Sequence, residues 1–149
     1  PILPLGIKLR NIRNILYRSK LFMPLPQNIL IATIAGIIRL GYKNIYIVGA
    51  DHSWHEDFVL NDENILGIND RHFYDNENAD AVIFKPLIGD FESGSLTSVT
   101  DQFNAQYLIF RSHEFLQSYA QSVGVKIINI SEKSYIDAYE KLNAKEVLN

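Results

Sequence analysis

The segment from Ile29 to Gly49 constrains the fold more than any other part of the sequence. Ile29–Leu40 is apolar on almost every side, so as a helix it must be buried on most of its surface. Asn28 is positioned to cap its start, and Gly41 to close it in the left-handed conformation that glycine tolerates. After a short turn comes Asn44-Ile45-Tyr46-Ile47-Val48-Gly49, a β-branched and aromatic run that predicts a buried strand. A buried helix feeding such a strand is half of a βαβ crossover, and the strand is expected to be parallel to its neighbour. A chain built this way requires further strands of the same sheet and helices to cover it.

The rest of the sequence supplies them. Residues 7–22 place Leu9, Ile12, Ile15, Leu16 and Ser19 at three-and-four spacing with Lys8, Arg10, Arg13, Arg18 and Lys20 mostly elsewhere, which predicts a basic amphipathic helix. Met23-Pro24-Leu25-Pro26 ends it. Residues 51–80 are polar, with a weak hairpin pairing Asn64–Ile68 and His72–Tyr74 around Asn69-Asp70. Ala81–Phe84 reads as a short strand and Gly89–Ser95 as a loop. Helical spacing returns from Leu96 to Val123, closed by Gly124, and Val125–Ile130 reads as a second buried strand. Ser131 or Ser134 would cap a last helix over Tyr135–Leu142. The order predicts one α/β domain over 1–149 with its core in 27–142 and helices on both faces of the sheet.

At 149 residues, 47% hydrophobic and 21% charged, the chain can bury a core and is not disordered. The absence of cysteine removes disulfides, zinc-thiolate sites and thiol nucleophiles. No apolar run reaches the ~18–20 residues of a membrane span. With Pro at position 1, the sequence is expected to be a piece of a longer protein or a processed one. The net charge of −3 conceals a split: residues 1–50 hold seven Lys/Arg and no acid, and the remainder holds seven against seventeen. The first third is thus expected to meet something anionic: nucleotide phosphates, lipid head groups, or the acidic remainder of the chain.

Titratable groups concentrate just past the first strand, in Ala50-Asp51-His52-Ser53-Trp54-His55-Glu56-Asp57. Open α/β sheets bind ligands at the carboxyl ends of their strands. Asp51, at the strand tip, suits a sugar hydroxyl or magnesium, or alternatively bonds its own turn. His52 and His55 could bind a metal with Asp51 or Glu56, but their spacing fits no metal motif, and they read as surface polar groups or substrate contacts. Trp54 suits stacking on a sugar or base, or core packing. His72, within Arg71-His72-Phe73-Tyr74-Asp75, has the near-neutral pKa of a general base, or is held by Asp75. His113, mid-helix, reads as structural. Asn28 caps a helix whose start favours anions.

The string from Asn28 through Gly41-Tyr42-Lys43 and Gly49-Ala50-Asp51 resembles the second half of bacterial sialyltransferases that act on surface glycans. It is also similar to hydroxymethylpterin-diphosphokinase-like domains. The fuller Gly49–Glu56 string with Arg71–Asp75 resembles members associated with capsule and lipopolysaccharide synthesis. The likeness covers about residues 24–140 and is sharpest over 40–56. It implies a Rossmann-like three-layer α/β/α fold, represented here by its carboxyl-terminal portion. It also implies an inverting glycosyltransferase with a nucleotide-sugar donor and a glycan acceptor. In that reading His72 is the catalytic base, Asn28 lies at the nucleotide phosphates, and Asp51, His52, Ser53, Trp54 and His55 line the substrate pocket. No metal, resident cofactor or nucleic acid is implied. The pattern's Thr-Ser-Gly becomes Asn28-Ile29-Leu30, the aromatics after Gly-x-Asp become His52 and Ser53, and its glycine-rich nucleotide loop has no counterpart. Two alternatives stand beside it. One is a diphosphotransferase in which Asp51 holds magnesium. The other is a non-catalytic module docking on membrane through residues 7–22. Either way, the expected location is cytoplasmic or peripheral at the inner membrane.

Overall fold

The computed structural model describes residues 9–19, 22–70, 83–90 and 92–148. In chain order the elements are α1 (Leu9–Arg18), α2 (Ile29–Arg39), β1 (Asn44–Ile47) and a 3₁₀ turn (Trp54–Asp57). Then come β2 (Phe58–Leu60), β3 (Leu66–Asp70), β4 (Ile83–Pro86), β5 (Ile88–Asp90) and β6 (Ser95–Leu96). The chain closes with α3 (Val99–Ser122), β7 (Lys126–Asn129), β8 (Glu140–Lys141) and α4 (Ala144–Leu148). It is an α/β protein that forms two compact units, residues 1–52 with 107–149 and residues 53–106.

In the first unit, β1, β7 and β8 form a three-stranded parallel sheet with β7 in the centre. Ile45 faces Ile127 and Ile47 faces Asn129 in register. The expected parallel pairing of the two apolar strands is therefore present. Ile31, Ile34, Ala35 and Ile38 of α2 join Ile45, Ile47, Ile127, Leu116, Tyr119, Ala120, Ile136 and Tyr139 in one core. α2 begins where expected, because the Asn28 Oδ1 accepts the Ile31 N–H at 3.0 Å. Its burial is one-sided: Ile29 and Thr33 are exposed. β1 also alternates, with Ile45 and Ile47 inward and Tyr46 and Val48 outward, so the strand is half-buried rather than enclosed on both faces. β7, in the middle, buries Ile127, Ile128 and Asn129 in succession.

In three places this unit adds to the sequence reading or corrects it. The apolar stripe of α1 does not face the core: Asn14 and Tyr17 do, with the Asn14 amide donating to the Ser118 carbonyl and hydroxyl at 3.2 Å and the Tyr17 ring edge-on to Tyr119 at 5.6 Å. No helix spans Tyr135–Leu142. The Asn129 amide instead bonds Ser134 Oγ at 2.9 Å and the Ile136 carbonyl at 3.5 Å, holding an irregular segment that ends in β8. Finally, the core-facing face of α3 is Ser112, His113, Leu116, Tyr119 and Ala120, while Tyr107 is exposed.

The second unit is antiparallel. β3 pairs with β2 (Phe58 with Ile68, Leu60 with Leu66) and with β4 (Gly67 with Pro86). Asn69 and Asp70, expected in a turn, continue β3; the other half of that expected hairpin, His72–Tyr74, lies outside the described residues. The actual turn is made by Asn61, whose Oδ1 accepts the N–H groups of Glu63 at 3.1 Å and Ile65 at 2.8 Å. A Cβ at Gly67 would clash with the edge of the Phe84 ring and fall 2.6 Å from the Lys85 carbonyl oxygen, so only glycine allows this close approach. Pro86 is tolerated because β4 is an edge strand. The expected loop 89–95 contains the β5–β6 hairpin. Ser98 caps α3: its Oγ accepts the Asp101 N–H at 3.0 Å and donates to the Asp101 carboxylate at 2.6 Å, which is why the helix starts at Val99.

Candidate functional site

The candidate site lies in the first unit, at the carboxyl ends of β1 and β7. Beyond β1 the chain turns through Gly49 at φ 68° and reaches His52 at φ 55°. The left-handed region suits glycine and costs about 1–3 kcal/mol for other residues, so at His52 the surrounding contacts must hold it. The segment after β7 does much of that holding. Ala50 N–H donates to Ser131 Oγ at 3.0 Å, Ser134 Oγ donates to the Ala50 carbonyl at 2.6 Å, and Tyr135 N–H donates to the Asp51 carbonyl at 2.8 Å.

The side chains of Asp51 and His52 then diverge. Asp51 is exposed, and its Oδ1 accepts the His52 N–H at 3.0 Å. His52 turns its ring inward and is 5% exposed. Its Nε2 lies 3.2 Å from Asn28 Nδ2 and 3.0 Å from His113 Nε2. His113 is fully buried, and its Nδ1 is 2.9 Å from the hydroxyl of buried Tyr139. The imidazoles of His52 and His113 are 5.0 Å apart between centroids, and Phe110 flanks His52 at 6.1 Å. Two residues singled out in the sequence, Asn28 and His52, are thus brought together from a helix start and a strand tip.

The helix cap fixes the protons of this chain. Because Asn28 Oδ1 is committed to Ile31 N–H, its NH₂ faces His52 and donates to Nε2. His52 then carries its proton on Nδ1. His113 must supply the proton between the two Nε2 atoms, which leaves its Nδ1 to accept from the Tyr139 hydroxyl. Every member is neutral in this arrangement, and burial favours that state. It lowers the His52 pKa against the opposing charge of Asp51, and with the neighbouring His52 it pushes His113 down to about 4. It also raises Tyr139. The result is an oriented donor chain running Tyr139 to His113 to His52, with Asn28 as a second donor at its end.

Compared with known proteins, the chain matches no protein-family model, no curated protein and no solved structure. Beside the site, Ser131, Glu132, Lys141, Asn143 and Lys145 line an open cleft of about 650 Å³ at the ends of β7 and β8. Lys141 Nζ donates to the Ser134 carbonyl at 2.6 Å, on the same segment that binds Ala50 and Asp51.

Ser53, Trp54 and His55 belong to the second unit, where Trp54 and His55 open the 3₁₀ turn and the Ser53 carbonyl accepts the Glu56 N–H at 2.8 Å. Trp54 is exposed and His55 half-buried. His72 lies outside the described residues. Among those described, no three His, Asp or Glu side chains are grouped to hold a metal ion. Sequence reasoning missed the coupling of His113 and Tyr139 to His52. The available signal was the spacing of His113 with Leu116 and Ala120, which puts a titratable ring on the core side of α3. Tyr139 gave none, since its segment read as a helix.

Proposed function

We propose that this chain is part of a glycosyltransferase-like protein of surface polysaccharide synthesis, with a Rossmann-like three-layer fold, working in the cytoplasm. It transfers a sugar from a nucleotide donor with inversion. The observation that supports the reading is the 3.2 Å contact between Asn28, capping a buried helix, and His52, at the tip of a parallel strand beside exposed Asp51. A helix start beside a strand tip is where open α/β sheets take phosphorylated ligands. In this reading the donor's phosphates meet the N-terminus of α2 and the ammonium groups of Lys141 and Lys145, and Asp51 holds a sugar hydroxyl. The buried His52–His113–Tyr139 chain keeps the strand tip in shape. His72 takes the proton from the acceptor hydroxyl as it attacks the anomeric carbon.

Calorimetric titration with cytidine, uridine and guanosine sugar nucleotides tests it. One class should bind. Asp51→Asn should weaken that class by roughly ten- to a hundredfold, the value of one charge-assisted hydrogen bond. His72→Ala should leave binding intact and lower turnover by about 10²–10⁴-fold. No binding by any sugar nucleotide, or equal binding by Asp51→Asn, would overturn the reading.

A further inference from the structure

We propose that the outward face of α1 docks this protein on an anionic lipid bilayer. The helix is packed on one side only, where Asn14 and Tyr17 are buried and the Arg13 guanidinium lies 4.0 Å over the Phe115 ring. At 3.6 residues per turn the opposite side carries Leu9, Ile12, Ile15 and Leu16. Ile12 is half-buried, whereas Leu9, Ile15 and Leu16 are exposed, Ile15 by 62%. A soluble helix normally turns such a stripe to the core; α1 turns Asn14 and Tyr17 there instead and leaves most of the stripe to water. The segment that follows leaves Phe22 and Leu25 exposed as well.

Charge selects the occupant. Arg10 and Arg18 are exposed on the same helix, Lys8 and Lys20 flank it in sequence, and no Asp or Glu occurs anywhere in residues 1–50. Arg10 shares the packed side with Asn14 and Tyr17, and Arg18 lies at the edge between that side and the stripe. An apolar stripe on a cation-rich segment with no acid to repel phosphate is the pattern of a helix lying in the plane of an anionic membrane interface. A protein partner would need an apolar patch and acidic groups together; a lipid surface carries both everywhere. Among the described residues no helix is long and apolar enough to cross a membrane, so the contact is with the surface. The inference does not depend on the sugar-nucleotide reading.

Co-sedimentation of the full chain with vesicles of equal parts phosphatidylcholine and phosphatidylglycerol, against pure phosphatidylcholine, tests it. Binding should require the anionic lipid and weaken with salt. Arg18→Gln should cost about fivefold, and Arg10→Gln, on the packed side of the helix, less than that. The double variant Ile15→Glu, Leu16→Glu should lose binding by more than about tenfold. Its circular dichroism and thermal midpoint should stay unchanged, because both side chains face water. Three results would overturn the proposal: no preference for anionic vesicles, full binding by the double variant, or light scattering that shows the double variant breaking an oligomer the parent chain forms.

Discussion

The two units of this chain are held together by different means. Of the sixteen buried hydrophobic side chains among the described residues, fifteen lie in residues 1–52 and 107–149, and Leu66 alone lies in residues 53–106. The first unit joins segments some eighty residues apart, such as Ile45 with Ile127 in the parallel ladder. The second relies on neighbouring antiparallel strands and on local side-chain turns at Asn61 and Asp90. Apolar burial and enclosed polar groups should therefore govern the first unit, and backbone pairing the second.

Core truncation should separate them most. Leu116 is fully buried, so Leu116→Ala should lower stability by about 2–5 kcal/mol. Leu60, in β2, is 57% exposed, and Leu60→Ala should stay within about 0.5 kcal/mol. Urea unfolding curves of the two variants give the comparison directly; equal losses would erase the distinction.

Acid should act on the first unit next. With His113 held at about 4 against an ordinary 6.5, the unfolded chain takes up a proton before the folded one as pH falls. The stability from keeping His113 neutral is complete above pH 6.5 and is lost as pH falls towards 4. From pH 7 to pH 5 the loss should be about 2 kcal/mol, and His52, lowered in the same sense, adds to it. In the second unit, Asp90 is held below the usual carboxylate range by the Ser93 hydroxyl and the Glu92 N–H. Its contribution disappears only on further acidification. Amide hydrogen exchange at pH 7 and pH 5 should show protection falling in β1 and β7 before β2 and β3.

A smaller effect is expected at the site itself. Asn28→Ala removes the α2 cap and one donor to His52, at about 0.5–2 kcal/mol. Asn28→Asp keeps the cap and presents a carboxylate to His52 Nε2, so it should raise the His52 pKa while retaining most of the helix stability. A histidine titration followed by NMR distinguishes the two variants.

The α2–β1 segment was legible because its apolar residues, cap and glycine all agree, and β7 for the same reason. The strand tip stood out by its titratable residues, and it was correctly placed at the carboxyl end of a parallel strand. The region 53–106 was obscure because its strands are short and largely exposed, so alternation gives little signal. α1 was legible as an amphipathic helix, but not the side on which it packs, since its apolar stripe faces outward. Periodicity finds a helix but not the side on which its partner lies. Tyr139 was hidden because the buried amide of Asn129, rather than any local pattern, determines the path of residues 130–139.

The most direct test of the buried chain is a long-range proton–nitrogen correlation spectrum of the histidine rings at pH 7. His113 should carry its proton on Nε2 and His52 on Nδ1, the assignment imposed by the Asn28 amide and the Tyr139 hydroxyl. A doubly protonated ring at either position, or a His113 proton on Nδ1, would contradict the account.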